Sequence, residues 1–487
     1  MLKKFEDNAK KVVNLILQTS QSRSETKLNN EGQVIGIVIT AWLNTDVPFY
    51  SLILGQLLNE KKHKIVFIFD DFMFFGDRYQ NEVLYEVYNK IEEPYKKMLL
   101  SNFTKFNISE HDISKYINFN EQLINRQYSN SEYQYAAGYL QKSYSAYSEL
   151  FAKTPFDKVI VPGGVYKNTK IISDICESFD TEYITYDSGD SCLLLGINSI
   201  ASHKKGVEEA YIKLKKYPNS EIFSKKIIEQ AEELLKLRRK GNDVFGYQKE
   251  NVYHMEIDKR NVLFPLNLFN DAAAVGINCG FLNIKEWLFE TIYFLLHNTS
   301  YQIIIRDHPS SDQFYNNTNL IKEIEFNFAK FISNGRVLIF KHDKKINTYS
   351  ILEKTDLVLP YTSTLGIEAG ILGKKSILCT DVYYKNSNFV ESTLDKREYL
   401  NKILYFSQEC KMDVQDKNEA LEYYYFSQVL GFLETQFTPQ PSNFAYLLDN
   451  FKEVIRSENV EILLNAIENS ESLEWLFLKN KLEQGVL

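Results

Sequence analysis

The residues with the clearest capacity for chemistry lie in a turn between a predicted strand and a predicted helix. The segment 355–378 predicts a buried strand at Asp356–Pro360, a polar turn at Tyr361–Thr364 and a helix that begins at Leu365 or one residue later. Backbone N–H groups and hydroxyls at the start of a helix form a ready anion site. The candidate substrate-binding residues of this segment are Ser363, Thr364, Gly366 and Glu368.

Two interpretations of this turn are open at the level of sequence. In the functional one, Ser363 and Thr364 bind phosphate, and Glu368 accepts hydrogen bonds from ribose or sugar hydroxyls. In the structural one, the segment is an ordinary strand–turn–helix crossover, with Thr362 or Ser363 as the N-cap and Gly366 allowing close packing. The combination of small hydroxyl residues, a glycine and an acid in the first turn favours the functional interpretation.

A second predicted strand ends in a cation and an imidazole. The apolar run Ile303–Ile305 delivers Arg306 and His308 to its carboxyl end, and strand alternation puts both on the same side. Together with the Ser310 hydroxyl, they would neutralise the charge that grows on a phosphate leaving group, without a metal. The structural alternative is that Arg306 pairs with Asp307 and that His308 only caps the strand.

An acidic turn follows a predicted strand in the first half of the chain. In the segment Tyr186–Ser191, Gly189 permits a backbone turn that other residues avoid, and either Asp187 or Asp190 would project from the strand end. A sugar transfer needs a base for the proton of the acceptor hydroxyl, and a carboxylate serves that purpose. The alternative is an Asx turn that merely ends the strand.

Three further turns carry weaker signals. Gly163 and Gly164 would let the backbone approach the acceptor substrate of a group transfer, and Asn267 would contact the donor substrate. A plain loop explains each of these residues equally well. The pair Asp70–Asp71 resembles the acidic pair of metal-dependent sugar transferases. In that other fold the nucleotide domain is single, whereas here the pair ends the second strand of a separate domain, so we predict no metal site.

The elements that must position these residues alternate between strand and helix over most of the chain, which is typical of α/β proteins with parallel sheets. The pattern predicts two doubly wound Rossmann-like domains that face a cleft, with ligands at the carboxyl ends of the strands. We predict a first domain at 1–255, a second at 256–435 and C-terminal helices at 436–487 that pack back on the body. Tyr-rich helices between residues 82 and 151 would either stack on sugar rings or form core.

Composition excludes several functional classes. The formal net charge is −8, which argues against a protein that coats nucleic acid, and we interpret the basic run Lys236–Lys240 as a solvated helix face. The five cysteines lack metal-ligand spacing and predict free thiols in a reducing compartment. No run approaches the roughly 20 apolar residues of a membrane span. We therefore predict a cytoplasmic protein, with peripheral contact at the inner face of the membrane.

The motifs RDHPSS (306–311) and LPYTSTLGIEAGILGKKSIL (359–378) resemble those of bacterial capsule and surface-polysaccharide transferases, including Kdo transferases. They are also similar to those of bacterial sialyltransferases of the glycosyltransferase B-type (GT-B) fold, which combine an acidic-Gly, an HP and a Ser/Thr motif. The resemblance covers mainly residues 157–192 and 260–400. It implies a GT-B fold and a nucleotide-sugar substrate, with neither metal nor other cofactor.

The resemblance also implies a role for each motif. Asp187 would activate the acceptor, His308 would donate to the donor phosphate or leaving group, and Ser363 and Thr364 would bind phosphate. The sequence departs from the family at the first motif, where Asp-Ser-Gly replaces paired acids before glycine. Asp190 therefore competes with Asp187 for the role of base.

These observations predict a metal-independent glycosyltransferase that moves a sugar from a nucleotide donor to a surface-glycan or glycolipid acceptor. The resemblance favours a CMP-linked Kdo or nonulosonic acid as the donor. The alternatives are a sugar-nucleotide 2-epimerase or a polyol-phosphate transferase of the same fold, and a non-catalytic subunit that binds nucleotide sugars.

Overall fold

The structure, a computed structural model, describes residues 2–21, 32–42, 45–92, 95–104, 111–188, 192–242, 260–311, 317–343, 346–406, 412–430, 433–434 and 441–487. The chain divides into two compact units. The first contains Met1–Glu121, Arg126–Gly206 and Gly431–Phe477, and the second contains Gln122–Asn125, Val207–Leu430 and Leu478–Leu487.

Thirteen strands are formed by the described residues: β1 (Val34–Thr40), β2 (Lys64–Asp70), β3 (Lys96–Leu99), β4 (Lys158–Pro162), β5 (Glu182–Ser188), β6 (Cys192–Ile197), β7 (Asn261–Pro265), β8 (Gln302–Arg306), β9 (Val337–Phe340), β10 (Leu357–Val358), β11 (Lys375–Leu378), β12 (Val390–Ser392) and β13 (Leu433–Glu434).

The α-helices in the described part of the chain are α1 (Leu2–Gln21), α2 (Val47–Glu60), α3 (Arg78–Lys90), α4 (Ser114–Leu123), α5 (Asn130–Lys153), α6 (Thr169–Ser178), α7 (Lys205–Lys215), α8 (Ser220–Arg239), α9 (Ile284–Asn298), α10 (Thr318–Asn327), α11 (Ala329–Ser333), α12 (Thr348–Leu352), α13 (Leu365–Ile371), α14 (Lys396–Leu404), α15 (Val414–Tyr425), α16 (Pro441–Asp449), α17 (Phe451–Val454), α18 (Glu458–Asn469) and α19 (Leu473–Glu483). Short 3-10 turns lie at Leu100–Phe103 and Ala201–His203, and a π-helical turn at Phe426–Leu430 continues α15.

Each unit is built on its own sheet. The first sheet has the order β13-β6-β5-β4-β1-β2-β3, in which β1 to β5 run parallel and β6 and β13 add antiparallel pairs. The second has the order β12-β11-β10-β7-β8-β9 and is parallel throughout. Two α/β units on parallel sheets, followed by C-terminal helices, confirm the predicted fold class.

Both sheets are buried because their strands are nearly continuous apolar runs covered by helices. In the first unit, the side chains of Ile35, Ile37 and Ile39 pack with α1, α2 and the C-terminal helices α16 and α18. In the second unit, Trp287 of α9 packs into the core with Phe264 of β7 and Ile305 of β8. The predicted packing of the C-terminal helices onto the body is thus seen on the first sheet.

The sequence pattern predicts strands at Val34–Thr40 and Gln302–Arg306 and a helix at Thr169–Ser178, and the structure forms all three with these bounds. The pattern also predicts a helix at Glu82–Leu100, which is wrong in its second half, because α3 ends at Lys90 and the short strand β3 follows. β3 lies at the edge of the sheet beside β2. A strand of four residues is too short for its alternation of apolar and polar side chains to be recognised next to the long helical periodicity that precedes it.

Residues Val207–Leu430 pack with the second sheet, so α8 belongs to the second unit. The sequence prediction had placed the boundary later, at residue 255. The antiparallel strand β6 was not predicted, and neither were β12 and α14. The sequence break at 243–259 that suggested the boundary lies outside the described residues.

The thiols of Cys279 and Cys379 lie 3.6 Å apart in the second unit, a proximity that a separation of 100 residues in the sequence does not suggest. Cys176, Cys279 and Cys379 are all free. None of the helices in the described ranges is both long enough and apolar enough to span a bilayer.

The carboxyl end of α18 is held to the first sheet by one buried cation. Lys158 of β4 is almost fully buried, and its Nζ donates to the carbonyls of Ile467 and Glu468 at 2.8 and 2.7 Å and to Ser470 Oγ at 2.6 Å. The last carbonyls of a helix have no partner within the helix, and a cation there is stabilising.

We expect Lys158→Met to loosen this helix end because three polar groups lose a charged donor. The amides of 458–469 should exchange with solvent about 30-fold faster, equivalent to about 2 kcal/mol. Hydrogen-exchange mass spectrometry measures this directly. Lys61→Met is the matched control, since Lys61, just after α2, pairs with Glu461 of the same helix α18, and this partly exposed pair should be worth less than about 1 kcal/mol. Equal exchange in both variants would contradict the assignment.

Candidate functional site

The carboxyl end of β8 is organised by one buried carboxylate, that of Asp307. Its Oδ1 accepts from the backbone N–H of His308 at 2.9 Å and from Asn317 Nδ2 at 3.0 Å. Its Oδ2 lies 2.8 Å from His342 Nδ1, just beyond β9. Because Pro265, Arg306 and Phe340 are in register across the neighbouring strands β7, β8 and β9, the residues that follow them meet at one edge of the second sheet.

The ring of His308 is half-buried and has a defined tautomer. Its Nδ1 accepts from the backbone N–H of Ser310 at 3.2 Å and lies 2.8 Å from Ser310 Oγ. A backbone N–H can only donate, so Nδ1 carries no proton and the neutral ring bears its hydrogen on Nε2. The predicted residues His308 and Ser310 are therefore together, and Ser310 sets the donor atom of His308.

The pKa of His308 is lowered to about 4, first by burial, with the positive charges of Arg238 and Arg306 acting in the same direction and Asp307 opposing them. The imidazole is therefore neutral at neutral pH. A neutral ring with its proton on Nε2 is a hydrogen-bond donor suited to an anionic oxygen that gains charge during a reaction.

A cation that the sequence analysis missed lies in the same unit. Arg238 of α8 is largely buried, its Nε lies 3.6 Å from Glu368 Oε1, and its Nη1 donates to Gln428 Oε1 at 3.0 Å. Its positive charge contributes to the lowered pKa of His308. The run Lys236–Lys240 is thus not uniformly a solvated face.

Glu368 is almost fully buried, and Thr364 Oγ1 donates to its Oε1 at 3.4 Å. Its carboxylate adds to the effect of burial in raising the pKa of Tyr349. With Arg238 as its ion-pair partner, Glu368 is placed to position that guanidinium. This placement supports the positioning role more directly than the predicted contact with sugar hydroxyls.

The Ser363–Thr364 turn precedes α13 as predicted, and both side chains are partly exposed. The Ser363 hydroxyl accepts from Leu365 N–H at 3.3 Å, and the Ser363 carbonyl accepts from Gly366 N–H at 3.1 Å. These two N–H groups are already bonded within the turn, so the expected anion site of free N–H groups is not formed by them. The hydroxyl of Thr364 and the polar groups around His308 remain as candidate contacts.

Gly366 has a packing role. A Cβ there would lie 2.5 Å from the hydroxyl of Tyr384 and 3.0 Å from Pro360, while the Tyr384 hydroxyl donates to the Ser363 carbonyl at 2.6 Å. The structural interpretation of this glycine, close packing, is therefore correct. The aromatic hydroxyl uses the space to fix the turn.

Asn267 links three strand ends. Its Oδ1 accepts from Thr362 N–H at 3.1 Å after β10, and its carbonyl accepts from Asn317 Nδ2 at 2.9 Å, the same amide that reaches Asp307. The predicted residue is thus part of the edge, in a positioning role that the loop alternative did not anticipate.

Arg306 is buried, and its guanidinium is bonded to other groups of the chain. Its guanidinium donates to the carbonyls of Phe340 at 3.2 Å, Lys341 at 2.8 Å and Ile346 at 3.4 Å, and to Thr348 Oγ1 at 3.3 Å. This placement favours a structural role, in which Arg306 fixes the chain between β9 and α12, over the predicted contact with the donor phosphate.

In the first unit, β5 runs to Ser188, so Asp187 is its penultimate residue and not the first residue of a turn as predicted. Its Oδ2 accepts from Ser202 Oγ at 2.9 Å. Gly163 and Gly164 have φ of 67° and 92°, and a Cβ on Gly163 would lie 2.6 Å from the ring of Trp42, so this turn requires glycine. Asp190 lies outside the described residues.

Asp70 and Asp71 have structural partners. Asp70 accepts from Asn168 Nδ2 at 2.7 Å, and its pKa is raised to about 6, mainly by burial, against the opposing charge of Lys167. Asp71 Oδ1 accepts from Ser101 N–H at 2.8 Å. Within the described residues, no three His, Cys, Asp or Glu side chains are grouped as metal ligands.

We expect His308 to titrate far below an ordinary histidine and to show a ¹⁵N pattern with the proton on Nε2. Because Arg238 lowers the pKa of His308 and Asp307 raises it, Arg238→Gln should move that pKa up and Asp307→Asn should move it down. Long-range ¹H–¹⁵N NMR from pH 3.5 to 8 measures both quantities. The exposed His297 is the internal control, and an Nδ1–H tautomer for His308 would contradict the geometry.

The same group makes stability depend on pH. The pKa of His308 is near 6.5 in the unfolded chain and about 4 in the folded chain. Between these pH values the unfolded chain binds more protons, so this residue makes the free energy of unfolding rise with pH from about 4 to 6.5. His308→Gln should flatten this part of the stability profile, measured by urea unfolding at pH 4.5 and 6.5. An unchanged slope would contradict a depressed pKa.

Comparison with known proteins gives one family and a set of distant structures. Residues 208–387 match the family model described as "Capsule polysaccharide biosynthesis protein". A comparison with curated proteins gives no match. The matched range includes Arg238, Asp307, His308, Ser363 and Glu368.

Similar solved structures include two of KpsC from Thermosulfurimonas dismutans. The β-Kdo 2,7 transferase is 16% identical, with 63% of this chain and 86% of that one covered and a TM-score of 0.32. The β-Kdo 2,4 transferase is 14% identical, with 65% and 97% covered and a TM-score of 0.32. UDP-GlcNAc 2-epimerase from Methanocaldococcus jannaschii is 15% identical, with 82% and 99% covered and a TM-score of 0.24.

Because these TM-scores are low, the assignment rests on the family match and on the motifs of this chain. The match lies in the second unit, around the edge formed by the carboxyl ends of β7, β8, β9 and β10. The family match agrees with the resemblance of the motifs at 306–311 and 359–378 to those of capsule polysaccharide transferases, since both motifs lie within residues 208–387.

Proposed function

We propose that this protein is a glycosyltransferase of capsule polysaccharide synthesis, which moves a sugar from a nucleotide donor to a glycan acceptor. The observation that carries the proposal is the neutral His308 ring, whose Nε2–H is set by Ser310 and which lies under the influence of the Arg238 charge. A hydrogen-bond donor and a fixed positive charge both stabilise the charge that a departing phosphate gains.

The donor phosphate binds at this edge of the second sheet. His308 donates through Nε2 to a phosphate oxygen, and Arg238, held by Glu368 and Gln428, supplies positive charge. The bond between the anomeric carbon and the phosphate oxygen breaks, and the nucleotide leaves with the bonding electron pair. Both groups stabilise the charge that this oxygen gains.

On the acceptor side, we propose Asp187 as the base. As the acceptor oxygen forms its bond to the anomeric carbon, its proton passes to the Asp187 carboxylate, and the products are the glycoside and the free nucleotide. The hydrogen bond from Ser202 orients the carboxylate. This role follows from the family resemblance and from the position of Asp187 at a strand end.

The finer assignment of the donor is CMP-linked Kdo or a CMP-linked nonulosonic acid. It is supported by the sequence resemblance to Kdo transferases and sialyltransferases. We propose that transfer is independent of metal, because the charge of a leaving nucleoside monophosphate is balanced here by an imidazole donor and a guanidinium. We place the reaction in the cytoplasm, at the inner face of the membrane.

Thermal-shift binding of CMP, UMP, UDP, GDP, CDP and ADP, each with Mg²⁺ and with EDTA, tests the donor site. Ligand at a hundredfold excess over the dissociation constant stabilises the folded protein by about 2.7 kcal/mol. We expect CMP to stabilise the protein equally with Mg²⁺ and with EDTA. His308→Ala should weaken CMP binding by about 1.5–3 kcal/mol, the range for a hydrogen bond to a charged group.

His297→Ala is the matched control, since His297 is an exposed histidine of α9 in the same unit and should leave CMP binding unchanged. Stabilisation by UDP or GDP instead would overturn the donor class but keep the site. No stabilisation by any nucleotide, or equal binding by His308→Ala, would overturn the donor site itself.

A further inference from the structure

The first unit contains a cavity that the proposed chemistry does not use. It has a volume of about 520 Å³ and lies between the loop after β2, the 3-10 turn at Leu100–Phe103 and the outer face of α5. The residues that line it and carry the argument are Asp71, Phe72, Gln134, Tyr135, Gly138 and Lys142. A cavity of this size admits one or two sugar rings.

One side of the cavity is an exposed aromatic surface. Tyr135 is 46% exposed, and its hydroxyl donates to the carbonyl of Met73 at 2.9 Å, so the ring is held in place although it faces solvent. The ring of Phe75, itself 41% exposed, lies 5.0 Å from that of Tyr135. Single exposed apolar side chains are common on protein surfaces, whereas several next to one another are typical of binding surfaces.

The remaining groups can hydrogen-bond. Asp71 is oriented by the bond from Ser101 N–H to its Oδ1. Lys142 places its Nζ 4.3 Å from the centroid of the Phe72 ring, which keeps the ammonium at the cavity wall. Gln134 adds an amide with both donor and acceptor atoms. A few polar groups around an apolar surface are typical of small-molecule sites.

Gly138 is the residue that keeps the cavity open. It lies in the middle of the 24-residue helix α5, where glycine is less favourable than alanine. A Cβ at this position would meet no atom within 4 Å, so internal packing does not require glycine here. The missing side chain instead leaves room for something to approach the helix backbone.

We propose that this cavity binds a pyranose ring of the acceptor glycan. The apolar face of the ring lies on Tyr135, and its hydroxyls bond to Asp71, Gln134 and Lys142. This combination of an aromatic platform and several hydroxyl-binding groups matches a sugar, which has one face of C–H groups and a rim of hydroxyls. The inference rests on the proposed function for the identity of its ligand.

The position in the sheet indicates which ring of the glycan is bound. Asp71 follows β2, whereas Asp187 is the penultimate residue of β5, and the order β5-β4-β1-β2 separates the two strands by three strand spacings, about 14 Å at 4.7–4.9 Å each. Both lie at the carboxyl edge of the first sheet. The bound ring is therefore an inner unit of the acceptor rather than the one that receives the new sugar.

Saturation-transfer NMR without a donor tests the site on the full chain. The probes are the methyl β-glycosides of galactose, glucose and N-acetylglucosamine and the methyl glycoside of Kdo. We expect ring protons of at least one probe to receive saturation from the wild type. Tyr135→Ala and Gly138→Leu should each weaken that binding about tenfold or more, as expected when an anchor is removed or the space is filled.

Tyr133→Ala is the matched control, because Tyr133 is 43% exposed on the same helix and does not line the cavity. Gly138→Leu should keep or raise the melting temperature, since it adds a better helix former in open space, so lost binding would not come from unfolding. No transfer to any probe, or transfer that both variants leave unchanged, would overturn the proposal.

CMP-induced thermal shifts on the same variants separate this inference from the donor site. Loss of sugar binding in Tyr135→Ala and Gly138→Leu with an unchanged CMP shift supports the cavity. Sugar binding that depends on Tyr135, in a protein that no nucleotide stabilises, would leave the cavity standing and overturn the donor function.

Discussion

The buried carboxylate of Asp307 is the constraint on which the second unit's site depends. It bonds to the backbone of His308 after β8, to the Asn317 amide at the start of α10 and to the ring of His342 after β9, so three separate segments are tied to one anion. Removing an anion that is bonded on all sides leaves several buried donors unsatisfied. The direction of His308, and with it the chemistry, follows from this arrangement.

The two sheets show the same physical solution at their carboxyl ends. In the first unit, Lys167 is buried with φ of 55°, its Nζ lies 2.6 Å from Asp77, and it donates to the Ala41 carbonyl at 2.6 Å. Asp70 is held at the same edge by Asn168. Beyond the ends of the strands, buried backbone N–H and C=O groups are no longer bonded within the sheet and need other hydrogen-bond partners. Here buried charged side chains are those partners.

Much of this could be predicted because the strands are short apolar runs bounded by turn residues. Val34–Thr40 and Gln302–Arg306 are of this kind, and the polar residues after such strands are placed by topology alone. His308, Ser310 and Asn267 were found in this way. The roles of Arg306 and Glu368 could not be predicted from the sequence. A charged residue at a strand end or helix start can point outward to a ligand or inward to buried partners, and the local sequence pattern is the same in both cases.

Arg238 was missed for a related reason. Arg238 lies in a basic run that looks solvated, and its direction is set by Glu368 and Gln428, which are 130 and 190 residues away in the sequence. In the sequence, Gly138 is only a glycine within a predicted helix and does not indicate a binding site. The structure suggests that role because the space beside Gly138 is empty. Long-range contacts of this kind carry no local periodicity.

The central claim is that His308 donates from Nε2 to the phosphate of the donor. Its most direct test is the ¹⁵N and ¹H resonance of the His308 Nε2–H group in histidine-labelled protein, followed while CMP is added at pH 7 in EDTA. We predict that this proton moves downfield and becomes protected from solvent exchange as CMP saturates the site. CMP that binds and leaves the Nε2–H resonance unchanged would contradict the account.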